Sequence, residues 1–589
     1  MQIVKKITTS AVIILTGSLL FGCSNDDNSS SSSQTSTNST SYVKSTAKSA
    51  SQNNQLGKKW NINKLISDKG SNVKTLNYSD LNISSVADIY NTSNQQAIAK
   101  KLASLKSEKN YSFKNPLVVS DPYLTNTTGL YLYFKTDKAV KISYTVKAKG
   151  YASYSNTLYN PNGTYAKTHE YQLIGAVAGV KNTITLTATT KSGKKTTTTF
   201  TYTPNKLQST VANTYKVKTY ASKQKLSNGL FAVMGNQASS TIRSTYYIDN
   251  NGVIRGEVPI IGYNSMRLNF TSDQQMYLGI SRGGFAKINR LGQVTQVINT
   301  EKQGYDVHHD YVLDSDGNIW SLASKINNKE NGKYYVEDQI IKINTKTGKI
   351  VKKINMRTLL PKLFSTATGL DKHTYNKGKH DIVHLNTIQV YNGNSIIVSS
   401  RETSTIIKIN GVNATPKIDY MISNQSQWSQ IGYTNLLLKQ TGGNYLNTAG
   451  QHSVTIERSS KLKSGQYYLY MFNNNYGLRD SLTSFKWTNY TSGDKNNNSI
   501  NGNYSLYYKY LVDENKGTYK LVKWFRVPKS NFVSDVENMA NTIVVASGQE
   551  NQILEYTTNG KKIRTWTFRG KSALTYRTYK YSFKGYYFK

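Results

Sequence analysis

The 589-residue chain has one cysteine, Cys23, so a disulfide framework is excluded. Proline is scarce at 8 and glycine unexceptional at 40, which excludes collagen and Pro/Gly low-complexity chains. Acidic residues are few, 33 against 74 Lys and Arg, for a net charge of +41. No G-x-G-x-x-G opens a helix, and no P-loop or H-E-x-x-H is present. The apolar run at residues 11–20 is too short for a membrane span. Phenylalanine, at 15, is outnumbered by 45 tyrosines. Tyr, Thr, Val and Ile suit half-buried strands, so the composition leans to β structure. The length leaves ample chain for a large core.

A chain this basic attracts polyanions: nucleic acid, anionic lipid or anionic wall polymers. Its Lys and Arg are spread without a long block, which favours a solvated basic surface over nucleic-acid binding. The N-terminus reads as an export signal. Lys5 and Lys6 precede the apolar run, and Leu20-Phe21-Gly22-Cys23 resembles a bacterial lipobox. Residues 1–22 are expected to be a lipoprotein signal peptide, with Cys23 the lipidated first residue of the mature chain. Residues 23–58, rich in Ser, Thr and Asn, have little to bury and read as a flexible tether. The expected location is the outer face of the cell membrane.

Residues 59–110 carry the only helical periodicity, at residues 97–105 (AIAKKLASL). Residues 111–210 then show short alternating strands at 130–134, 140–146, 183–188 and 196–203, the spacing of a small immunoglobulin-like sandwich. From residue 211 to 589 a phrase recurs: strand, turn with Asn, Asp or Gly, strand. Residues 246–254, 287–294, 342–350 and 555–563 are instances. Spacings of about 40–60 residues suit the blades of a β-propeller, about six in number. A β-helix and tandem sandwiches fit the spacing and the linkers less well. The expected fold is all-β: a small immunoglobulin-like sandwich followed by a six-bladed propeller.

Six of the seven histidines (308, 309, 373, 380, 384 and 452) fall in one stretch of the repeat region; the seventh is His169. His308-His309, His384 and His452 each stand near the start of a repeat. Inner strands of successive blades line one channel, so these imidazoles are expected to converge, with Arg401 one strand after His384. His373 and His380 lie in a polar insertion and read as loop residues. Three readings compete for the cluster: unrelated histidines, a zinc site, or a donor-rich pocket for a tetrahedral oxyanion with group transfer to histidine. Arg401 weighs against a metal, because a guanidinium repels the cation.

The phrases H-H-[DE] at His308–Asp310, H-x-N at His384–Asn386, S-x-R at Ser399–Arg401 and Q-H-[ST] at Gln451–Ser453 occur in the order found in bacterial PAPS-independent arylsulfate sulfotransferases. The stretches at residues 121–124 and 169–175 are similar to the N-terminal sandwich of that family. The resemblance covers about residue 110 to the end. It implies sulfuryl transfer from an aryl sulfate donor to a phenolic acceptor, with no cofactor and no metal. It also implies that His452 is the nucleophile, while His309, His384 and Arg401 act with it. Asn386, His308 and Ser534 would bind substrate, and which of His308 and His309 meets the sulfuryl group is left open. Periplasmic relatives carry a disulfide near the active site; this chain has no cysteines for one, so its loop at residues 422–451 must hold by packing alone. Lipobox, tether and charge together suggest a Gram-positive surface lipoprotein whose basic face touches anionic wall polymers. The competing class is a non-catalytic lipoprotein that binds such polymers.

Overall fold

The computed structural model describes residues 73–208, 212–238, 243–262, 265–372, 376–482, 484–485, 503–568 and 572–589. The lipobox with Cys23, the tether and His373 lie outside these residues. Nearly all described regular structure is β; the longest helix, Thr92–Ser107, is capped by Asn91, whose side chain accepts from the Ser93 and Asn94 amides. No described helix is long and apolar enough to cross a membrane.

The N-terminal sandwich is organised by one strand. Residues 130–134 and 140–146, expected as separate strands, are halves of Leu130–Ala148, 19 residues long. Its first half pairs with Leu117–Ser120 and Ala166–Leu173, its second with Asn182–Thr190 and Tyr154–Thr157. The register breaks between Lys135 and Val140, so one strand can serve both halves around a shared core of Leu132, Phe134, Ile142, Tyr144, Ile184 and Leu186.

Six blades follow, the first four of four strands and the last two of five. The ring closes by strand exchange. Ser572–Tyr581, from the C-terminus, becomes the inner strand of the first blade, against Leu230–Ala238. Lys216–Thr219 becomes the outer strand of the last blade, against Lys562–Thr567. Adjacent blades share apolar cores, such as Trp320, Leu322, Ile388 and Val398 between the third and fourth, and Tyr467, Met471, Ile406 and Ile422 between the fourth and fifth. The C-terminal aromatics Phe583, Tyr586, Tyr587 and Phe588 join the core of the sandwich and so fix it to the propeller. Buried Arg255 adds a polar clamp, donating to the Gly175 and Ala152 carbonyls across that boundary.

The inner strands of blades three to six are Tyr305–Leu313, Leu385–Asn392, His452–Glu457 and Asp535–Asn538. The first three are bulged near their start. A residue with positive φ stands at each corresponding entry: His309 at 51°, His384 at 44°, Ser453 at 56° and Ser534 at 86°. Such backbone costs about 1–3 kcal/mol at a non-glycine residue and is held only where its surroundings fix it. The bulges turn side chains out of the sheet plane, and they do so at equivalent positions of consecutive blades.

Candidate active site

The four motifs meet at one end of the ring. Their outer letters bind one another. Asn386 Nδ2 donates to the Gln451 carbonyl at 2.8 Å, and Gln451 Nε2 donates to Ser399 Oγ at 2.9 Å and the Ser400 carbonyl at 3.2 Å. The Arg401 amide donates to the His384 carbonyl at 3.1 Å. Blades four and five are thus locked edge to edge, and His384, Arg401 and His452 are presented by the lock. Asn386 is fully buried and spends its amide on the loop before His452.

His452 is 2% exposed. Its Nδ1 lies 2.8 Å from Asn474 Oδ1 and 2.9 Å from the Gly450 carbonyl, both acceptors, so Nδ1 carries the proton. Asn474 cannot turn its amide over, because its Nδ2 donates to the Ser530 and Val533 carbonyls at 2.8 and 3.1 Å. Nε2 is therefore left with a lone pair. Burial pushes the imidazole down to about 3; the Asn474 hydrogen bond opposes this, and the charges of Arg401, His384 and Arg577 add to it. Gly450, with φ 63°, makes the tight turn; a Cβ there would stand 2.5 Å from the Tyr476 carbonyl oxygen.

His384 is the opposite case. Its Nδ1 is 2.5 Å from Asp381 Oδ2 and 2.9 Å from Glu337 Oε2. Burial alone would lower its pKa, but the two carboxylates overcome burial and hold it well above the usual value. Glu337, fully buried, is held ionised against its own burial chiefly by the charge of His384. Asp381 is pushed up to about 7 by burial and by the neighbouring Glu337 carboxylate, although His384 opposes this. The trio is thus an imidazolium between an ionised glutamate and an aspartate that titrates near neutrality. Nε2 of His384 is the ring nitrogen not committed to a carboxylate.

His309 packs edge-on to His384, ring centroids 4.9 Å apart, and against Tyr576 at 5.6 Å; Tyr576 in turn meets His452 at 6.2 Å. His308 stands behind it, Nδ1 to Nδ1 at 2.8 Å, with Nε2 buried and unpartnered. Of the adjacent pair, His309 therefore faces the cluster. Burial lowers both, His308 to about 4, and both are neutral. Arg401 is 7% exposed and forms no ion pair among the described residues. Ser534 is fully buried; its Oγ accepts the Gly548 amide at 2.9 Å, so the hydroxyl proton alone is left to donate. His380, read as a loop histidine, forms an isolated bridge with Tyr335 and stacks on its ring.

Below the cluster sits Asp310, fully buried. It is 2.7 Å from Arg577 Nη1 and 3.2 Å from Arg267 Nε, and it accepts the Tyr311 and Ile388 amides. It ties the inner strands of blades one, three and four under the histidines. His308, His309 and Glu337, or Glu337, Asp381 and His384, are close enough to share a metal ion. A proton on His384 Nδ1 satisfies the second group equally well, and the cationic side chains around it disfavour a divalent ion.

Sequence reasoning missed Glu337, Asp381, Asn474, Tyr576 and Arg577. Asp381 has a weak local signal, an acid three residues before His384. Asn474 follows the neighbouring strand of His452's own blade, 22 residues away, and Glu337, Tyr576 and Arg577 come from other blades than His384, His452 and Asp310.

A family model described as Arylsulfotransferase (ASST) matches residues 215–584, and one described as Arylsulfotransferase Ig-like domain matches residues 117–205. The chain belongs to the arylsulfotransferase family. The first match spans the six blades and every histidine of this arylsulfotransferase's cluster; the second spans the sandwich strands. No curated protein matches the sequence. Similar solved structures include a 6-phosphogluconolactonase candidate from Bacteroides fragilis, at 12% identity over 74% of this chain and 97% of that one, with a TM-score of 0.31. BamB from Moraxella catarrhalis is similar at 9% identity over 61% of this chain and 92% of that one, with a TM-score of 0.29.

Proposed function

We propose that this arylsulfotransferase moves a sulfuryl group between phenols by a ping-pong route through a sulfohistidine on His452, without a nucleotide cofactor. The observation that carries the reading is the fixed tautomer of His452: Nδ1–H is held by Asn474 Oδ1 and the Gly450 carbonyl, which leaves Nε2 as a neutral nucleophile. In the first half-reaction Nε2 forms a bond to sulfur while the bond from sulfur to the aryl oxygen breaks. The electron pair leaves on the aryl oxygen, and His384 supplies the proton from Nε2. Arg401 and the hydroxyl of Ser534 stabilise the sulfuryl oxygens as charge shifts among them. In the second half-reaction the acceptor phenol returns its proton to His384 and attacks sulfur, and the nitrogen–sulfur bond breaks with its pair returning to Nε2. His309 walls the pocket as a neutral donor. The proton account closes with no external base, because the proton that His384 gives to the leaving phenolate is returned by the acceptor phenol.

The test is release of phenol from a chromogenic aryl sulfate in the absence and presence of acceptor, with intact mass of the protein trapped before acceptor is added. A single sulfuryl adduct that is absent from His452→Ala supports the reading. Turnover without any adduct would refute it. Turnover lost on dialysis against a chelator and restored by zinc would favour the metal reading. A folded protein inactive with all aryl donors but retained on anionic wall polymer would favour the binding lipoprotein. As part of the same proposal, lipid at Cys23 places the enzyme on the outer face of a Gram-positive membrane; release of the protein by Cys23→Ala tests that.

A further inference from the structure

Blade five does not turn directly from its second strand into its third. After Gln466–Asn473 the chain crosses the rim toward blade four. The crossing is pinned at both ends to the catalytic loops. Asn474 accepts from His452, and the Tyr476 amide donates to the Ala449 carbonyl at 3.2 Å. At the far end the Ser481 amide donates to Glu402 Oε1 at 2.7 Å, beside Arg401, and the Ser481 carbonyl accepts the Thr368 and Gly369 amides at 2.9 and 3.1 Å. The segment is therefore a strap laid from the nucleophile to the guanidinium of the site.

Arg479 is carried by this strap and is only 5% exposed. Its Nε and Nη1 are buried without a hydrogen-bond partner among the described residues. It forms no ion pair among the described residues; the Phe485 ring lies against it, 5.5 Å from the guanidinium carbon. Burial lowers its pKa to about 10, with Glu402 opposing. Glu402 already accepts from Ser481, and Asp480 beside Arg479 has a partner of its own. A desolvated guanidinium with unmade bonds is among the costlier things a fold can keep. It is the natural counterpart of an oxyanion that arrives with the ligand.

Resting on the sulfuryl-transfer reading, we propose that Arg479 binds a second anionic group, a carboxylate carried on the aromatic ring of the donor or acceptor. The charges that bear most on His452 are those of Arg401, His384 and Arg577, while Arg479 is coupled to Glu402. The strap carries Arg479 two residues before its anchor on Glu402, the chain neighbour of Arg401. A sulfuryl group seated between Arg401 and His452 directs its aryl group toward the rim, under the strap. The Phe485 ring beside Arg479 adds an apolar wall there.

The test is calorimetric binding of 4-sulfooxybenzoate and of phenyl sulfate to His452→Ala protein, which cannot form the covalent intermediate. The expected result is a preference for the carboxylated ligand of about tenfold or more. Arg479→Gln in the same background should abolish that preference, and Arg479→Lys should retain part of it in a salt-dependent form. An unchanged ratio of the two affinities in Arg479→Gln overturns the proposal. So does a lack of preference, or of binding, before Arg479 is altered. Should Arg479→Gln fail to fold, a ratio unaltered by Arg479→Lys at low and high salt overturns it as well. Failure of the sulfuryl-transfer reading would show separately, as wild-type protein that binds both sulfates yet releases phenol from neither.

Discussion

Replacing Glu337 by Gln tests the charge state assigned to His384. Glu337 Oε2 is 2.9 Å from His384 Nδ1. At an effective dielectric of about 20, two unit charges at that distance attract by about 6 kcal/mol. Most of this is spent against the burial of both groups, and Asp381 at 2.5 Å holds part of the proton when Glu337 is gone. A carboxylate this close moves a neighbouring pKa by about 1–3 units net. The sign follows from the proton required. Wild-type His384 is held above its ordinary value, so it is charged through neutrality and loses its proton only as pH rises through that raised value. In Glu337→Gln the value falls, so the acid form is lost at lower pH. The assay is single-turnover release of phenol from phenyl sulfate without acceptor, followed from about pH 5 to 10, which isolates the first half-reaction. The alkaline limb is expected to move down by about 1–3 units, with the plateau below about pH 6 largely kept. An alkaline limb that does not move, or moves up, would refute the assignment of His384 as the acid. No acid limb from His452 is expected above about pH 4, because burial already pushes it to about 3.

Three further outcomes follow from the same geometry. His384→Asn should slow donors with poorly acidic phenols by about 10²–10⁴-fold and nitrophenyl sulfate far less, since a stable phenolate needs no proton; equal losses across a leaving-group series would count against proton donation. Asn474→Ala should lower the rate of adduct formation by about ten- to a hundredfold, less than full loss of a tautomer clamp because the Gly450 carbonyl still accepts from Nδ1 at 2.9 Å; single-turnover rates measure it, and a change confined to KM would contradict it. Asp310→Ala leaves Arg577 and Arg267 without their shared buried partner and should cost about 3–5 kcal/mol in urea unfolding; a loss under about 1 kcal/mol would mean that the two guanidinia find other partners.

Local pattern was enough for the fold class. Alternation such as 342–350 and turns such as Asp249-Asn250-Asn251-Gly252 are decided within a few residues, by the period-two geometry of strands and by the conformations that Gly and Asn tolerate. The convergence of His309, His384 and His452 was legible for a related reason: a ring of repeats brings equivalent positions to one axis whatever the loops do. The long bent strand of the sandwich was not legible, because nothing local distinguishes a bulge at residues 135–140 from a turn.

What the sequence alone determined is a repetitive β chain with imidazoles at recurring strand starts and an arginine near one of them. Only the tertiary structure decided which imidazole is neutral and which is charged. Two histidines of the same type, His384 and His452, are driven in opposite directions. The cause lies in Glu337, 47 residues before one, and Asn474, 22 residues after the other. Ring closure was decided the same way, by Ser572–Tyr581 returning to the first blade, which brings Tyr576 against His309 and His452 and Arg577 against Asp310. Burial and Coulomb interaction act through space over a few ångströms, and the sequence records separation only along the chain.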